Sequence, residues 1–246
     1  MSEQRSSMIG SVLLAVGIAA GGWFVGHGFV TARMGDRFVT VKGISERDVK
    51  ADLAIWSVRI AATDNDLPTA QRRITEDVSK VRDFLARHGI AADQTELERP
   101  EVEDAFANQW RDASKVKDRY IVHQTVTVRL DKPETVVEAS RQSGELVAAG
   151  VVLATGQGYG QGGGPRFLFT RLNDIKPQMI QEATARAREA ALKFAQDSSS
   201  TLGGIRQASQ GVFEILPRNP VPGVDEASQL LKTVRVVSTV QYFLEH

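Results

Sequence analysis

The sequence predicts an α+β protein: one N-terminal transmembrane helix, then a domain of mainly antiparallel sheet with three covering helices, in the order β-β-α-β-β-α-β-β-α-β-β. Three observations carry this. Residues 8–30 contain no charged side chain. Downstream, helical periodicities are separated by pairs of strand-like segments, which argues for antiparallel pairing over a doubly wound parallel sheet. The stretch Tyr120–Leu130 alternates in side-chain character, the signature of a strand buried on one side.

The first element is the apolar run. As a helix, residues 8–30 extend roughly 34 Å, enough to cross a hydrocarbon core of about 30 Å. The rival reading is a cleaved signal peptide, but its apolar region is shorter, and Arg5 in the leading tail is offset by Glu3. Residues 1–7 are thus a short tail, 8–30 the anchor in the lipid bilayer, 31–37 a linker and 38–246 the main domain. Gly17, Gly21, Gly22 and Gly26 recur at spacings of four, a stripe on which two membrane helices can pack backbone to backbone. Glycine is also common in membrane helices for other reasons.

In the main domain, Phe38–Lys42 reads as a short strand stopped by Gly43, and Leu53–Ala62 as a longer one with Trp56, Val58 and Ile60 on one face. A first helix starts at Asp66, carries Pro68 in its first turn, lines up Ile74, Val78, Val81 and Leu85, and stops at Gly89. A second opens on Asp131-Lys-Pro-Glu134, which resembles a capping box, and runs to near Gly150. A third starts near Asn173–Pro177, turns Met179, Ala183, Ala187, Ala190 and Phe194 inward, and ends near Leu202-Gly203-Gly204; Glu182 and Arg186 form an i,i+4 pair on it. The remaining strands are Tyr120–Leu130, Arg166–Leu172, Gly211–Leu216 and Thr233–Leu244. Two irregular stretches, 107–119 and 217–231, are long enough to be partner contacts or lids.

Composition excludes several functions. The chain has 246 residues, 30 Lys+Arg against 30 Asp+Glu, and no cysteine. Balanced charge argues against a nucleic-acid partner, and the absent thiol removes disulfides, thiolate metal sites and a cysteine nucleophile. With 42% hydrophobic and 24% charged residues the chain is globular. The four histidines lack ligand spacing and no G-x-S-x-G elbow is present. No catalytic residue, metal ligand or cofactor is expected, and the reading is a non-enzyme. The acidic stretch Glu96–Asp104 could offer Glu101, Glu103 and Asp104 to a hard cation, but reads better as a solvated sheet edge. Gly158, Gly160 and Gly163 spell a formal G-x-G-x-x-G. Pro165 and a strand-like run follow where a phosphate-binding helix should open, so the segment reads as a flexible connection. A second reading keeps it as a loop for a small anionic ligand, gripped by Arg166 and Arg171.

Residues 38–244 resemble the SIMPL domain family, formerly DUF541. The matching runs are Val39-Thr-Val-Lys-Gly43 and Val49-Lys-Ala-Asp-Leu-Ala54, where Ala51 replaces the usual proline while Asp52 and Ala54 match. The helix ending in Gly89-Ile90, Tyr120 with Val126 and Val128, the alanine-rich helix Glu182–Ala195, Leu202-Gly203 and the last alternating strand complete the pattern. The resemblance implies an α+β domain, in bacteria usually exported or membrane-anchored, sometimes assembled into ring- or channel-like homo-oligomers and connected with stress tolerance. It carries over no catalytic residue. The expectation is a single-pass protein of the bacterial inner membrane, with its domain in the periplasm and self-associating as a scaffold.

Overall fold

The computed structural model describes residues 14–28, 37–107, 117–154 and 164–245. The first element is a helix over residues 14–28 (α1), exposed along its length. It accounts for part of the expected span, roughly 22 Å at 1.5 Å per residue; the ends of that span lie outside the described residues. Among the described residues no helix is long and apolar enough to cross a membrane.

Ten strands and four further helices follow among the described residues: β1 (Phe38–Lys50), β2 (Leu53–Asp64), α2 (Leu67–Arg87), β3 (Thr95–Leu97), β4 (Glu101–Asp104), β5 (Tyr120–Leu130), α3 (Pro133–Arg141), α4 (Gly144–Ala148), β6 (Val152–Leu153), β7 (Arg166–Leu168), α5 (Leu172–Asp197), β8 (Thr201–Gln210), β9 (Glu214–Pro217) and β10 (Leu231–Glu245). The chain divides into two compact units, Glu46–Pro177 with Phe213–Arg235, and Met1–Ser45 with Gln178–Val212 and Val236–His246.

In the larger unit β2 and β5 pair antiparallel from Ala54↔Leu130 to Asp64↔Tyr120. The short strands β3 and β4 add antiparallel to the outer edge of β5, and β6 and β7 to the outer edge of β2. The inward row of this pair, Trp56, Val58, Ile60, Val122, Val126 and Val128, is buried with Ile74, Val81, Phe84 and Leu85 of α2 in one hydrophobic core. Helix α2 starts where the sequence places it: the Asp66 side chain accepts from the Thr69 amide at 3.1 Å, and Gly89 closes the end at φ +78°.

The smaller unit holds the β1, β10 and β8 residues of a second sheet, with β10 and β8 antiparallel from Ser238↔Gln210 to Glu245↔Thr201. Its core is built from Val41, Ala187, Ala191, Val240 and Tyr242.

Several expectations need correction. Gly43 does not stop β1; the strand runs on to Lys50. A Cβ at Gly43 would fall on the Ala183 carbonyl oxygen and 2.5 Å from the Ala187 amide nitrogen, so glycine serves a close backbone approach between strand and helix. The single second helix is two, α3 and α4. Lys132 is the N-cap of α3 without a side-chain hydrogen bond, and Glu134 pairs with Lys50 instead of closing a capping box. Four helices therefore follow α1, not three. Helix α5 ends at Asp197, and Leu202-Gly203-Gly204 belongs to β8, a strand the sequence does not announce. Met179, Ala183 and Ala187 are buried as expected, but Ala191 and Ala195 continue the row while Phe194 is 58% exposed. Glu182 accepts from the Ser45 hydroxyl at 2.8 Å, and Arg186 donates to the Ile44 carbonyl, so both help hold α5 to β1. Strand β9 starts at Glu214, not at Gly211, whose amide bonds the Val237 carbonyl at 2.8 Å.

Candidate functional site

The larger unit carries two features with chemistry. The first surrounds Asp52 in the turn between β1 and β2. Its carboxylate accepts from the Thr170 amide at 2.8 Å, the Thr170 hydroxyl at 3.1 Å and the Arg171 amide at 3.1 Å. The Asp52 amide in turn donates to the Leu168 carbonyl and the Ala51 amide to the Leu230 carbonyl, both at 2.9 Å. An ionised carboxylate is acceptor-only, so it suits three converging donors that precede α5. This is a positioning cradle, already filled by the chain itself.

The second feature is a cleft of about 430 Å³. Strand β2 is paired on its outer edge at both ends, to β7 at Leu53–Ile55 and to β6 at Ile60–Ala61. Between them lies an interval that no described strand covers. The Arg59 carbonyl accepts from the Ala154 amide at 2.8 Å on this edge. By the alternation of an antiparallel ladder, the Ser57 amide and carbonyl face the same way. Apolar lining comes from Trp56, Val58, Leu153, Ala154 and Pro165, polar lining from Ser57, Arg59, Ser140, Arg141 and Ser143. Arg59 is neutralised by Glu101 at 2.6 Å. Arg141 is exposed and has no ion pair among the described residues.

The residues expected to grip an anion are arranged otherwise. Gly158, Gly160 and Gly163 lie outside the described residues. Arg166 starts β7 with its guanidinium 3.7 Å from the Asp225 carboxylate. Arg171 bonds Asp174 at 3.0 Å while its amide serves Asp52. Both cations therefore have carboxylate partners of their own. In α1, a Cβ on Gly17, Gly21, Gly22 or Gly26 would meet nothing within 4 Å, so the small-residue stripe is open.

The acidic stretch forms β3 and β4 along β5 and is tied down by cations and a hydroxyl. Glu98 accepts from the Thr127 hydroxyl at 2.6 Å, and Asp104 from the Arg119 guanidinium at 3.1 and 2.9 Å. The Arg119 hydrogen bonds hold the Asp104 carboxyl below the usual carboxylate range, with the Phe106 amide adding to the effect. The Lys50 ammonium does the same for Glu134. Among the described residues no three His, Asp or Glu side chains are grouped to hold a metal ion.

Sequence reasoning missed the cleft because its lining comes from four separated segments with no common spacing. Asp52 was marked by its motif, but its role needed Thr170, 118 residues away. Compared with known proteins, residues 39–242 match a family model described as SIMPL, protein of unknown function (DUF541). No curated protein matches the chain.

Proposed function

The chain belongs to the SIMPL (DUF541) family, a family of unknown function, and on that footing we propose that it is a non-enzymatic scaffold. In this reading residues 8–30 anchor it in the bacterial inner membrane. Its domain faces the periplasm and associates with further copies into a ring- or cage-like homo-oligomer that serves envelope stress tolerance.

The supporting observation is β8. This strand of ten residues is exposed at all but Leu202 and Gly203, and β10 is its only strand partner among the described residues. A long edge strand offers a row of unpaired amides and carbonyls, the template on which another chain adds a strand. The sequence Thr201–Gln210 lacks the lysines and prolines that block such pairing. Edge pairing of this kind assembles copies without requiring an apolar interface.

The test is the mass of the full-length protein in detergent by size exclusion with light scattering. The Gly211 amide bonds the Val237 carbonyl, so by alternation the Ala208 amide points to the open edge. Ala208→Pro removes that outward donor and spares the β8–β10 ladder. A uniform multimer that Ala208→Pro breaks and Gly21→Leu leaves intact is the expected result. Sensitivity to Gly21→Leu alone moves assembly to the anchor stripe, and a wild-type monomer ends the scaffold reading.

A further inference from the structure

We propose that the cleft at the uncovered interval of β2 is a binding site for a small amphiphile with one anionic head group and an apolar body. The inference is independent of the scaffold reading and uses neither Gly158, Gly160 and Gly163 nor Arg171.

Size and shape come first. At about 430 Å³ the cleft falls within the range of roughly 300–1,000 Å³ that small-molecule sites occupy. It arises from the topology: among the described residues no strand pairs with β2 between β6 and β7, while the end of α3 and the α3–α4 turn bring Ser140, Arg141 and Ser143 to the gap. Exposed sheet edge and side-chain walls therefore meet in one place.

Charge then selects the ligand. Among the described residues two guanidiniums reach the cleft, but Glu101 cancels Arg59, which leaves Arg141 as the one without an ion pair there. A single net positive charge matches a carboxylate or sulfonate and falls short of a diphosphate. The Ser57 amide, on the open edge, and the Ser143 hydroxyl can share the same head group. The apolar lining of Leu153, Pro165, Trp56 and Val58 suits an aryl or short alkyl body. A sugar or a free inorganic anion would leave that lining wet.

The probes are 4-phenylbutyrate and its uncharged counterpart 4-phenylbutanol. Each is titrated calorimetrically into the full-length protein in nanodiscs, with empty nanodiscs subtracted. We expect a single-site isotherm for the acid and about tenfold weaker binding of the alcohol, the worth of one charge-assisted contact. Arg141→Gln should weaken the acid about tenfold and leave the alcohol unchanged. Leu153→Glu, on a residue already 37% exposed, should abolish both while the protein melts like wild type. Equal binding of acid and alcohol, indifference to both substitutions, or no saturable heat would each overturn the proposal. If Leu153→Glu melts early, the Arg141→Gln comparison decides alone.

Discussion

The Asp52 carboxylate and the Thr170 amide, 118 residues apart, meet at 2.8 Å. The bond fixes the turn between β1 and β2 to the segment that leads from β7 into α5, and the Arg171 amide and Thr170 hydroxyl reinforce it. Asp52, which the family resemblance singles out, is thereby explained as a joint.

Removing that joint should be costly. Asp52→Ala leaves two backbone amides without their acceptor, and at about 1–1.5 kcal/mol for each hydrogen bond at this solvent-exposed site the loss is about 2–3 kcal/mol. Asp52→Asn keeps one acceptor oxygen but turns an NH₂ toward a donor, so it should lose nearly as much. Urea unfolding of the three proteins measures this; an Asp52→Ala midpoint equal to wild type would refute the joint.

Gly43→Ala should destabilise the smaller unit by at least about 3 kcal/mol, the upper end of ordinary overpacking, because the obstructing atoms are main chain. Ala183→Gly should not rescue it, since the colliding carbonyl stays in place. Thermal melting of the single and double variants separates this from a side-chain clash, which the second substitution would relieve.

Lys232 is fully buried, and its ammonium is held by the Glu226 carboxylate and, at 2.9 Å, the Glu226 carbonyl. Breaking a buried pair from one side leaves a stranded charge. Glu226→Ala should therefore cost about 3 kcal/mol, and Lys232→Met, which removes the charge itself, clearly less. The order of the two melting temperatures is the readout.

The Asp104–Arg119 pair makes a pH prediction. The Arg119 hydrogen bonds favour the ionised carboxylate, so the folded state releases its proton at lower pH than the unfolded chain. The pair's contribution is full above the unfolded pKa and fades as pH falls through the depressed folded value. Arg119→Gln should raise the Asp104 titration midpoint, read from its side-chain carbon by NMR, and flatten the acid limb of the stability curve.

The legible parts of this fold are those where one side faces the core and the other water. Strand β5 shows its alternation because Val122, Val126, Val128 and Leu130 are buried while Thr125, Thr127 and Arg129 are not. Helix α2 is legible from its Asp66 cap and Gly89 stop. Strand β8 is silent because nearly all of it is exposed and nothing enforces an apolar period. Phe194 misleads because the buried face of α5 advances in strict steps of four, which puts Ala191 and Ala195 inside and the larger ring out. The cleft was invisible because Ser57, Arg141 and Leu153 become neighbours only after β6 and α3 dock against β2.

That face of α5 has a further consequence. With Ala183, Ala187, Ala191 and Ala195 at equal intervals, a slip of the helix by four residues, roughly 6 Å along its axis, sets alanine over alanine again. Within the alanine run the packing surface is a vernier with repeated marks, and of the buried row only Met179 breaks the repeat. The choice falls to features that occur once: the notch at Gly43, the Ser45 hydroxyl seated on Glu182, and Arg186 reaching the Ile44 carbonyl. Loosening these should leave the unit folded but polymorphic, with the helix shared among mis-set registers.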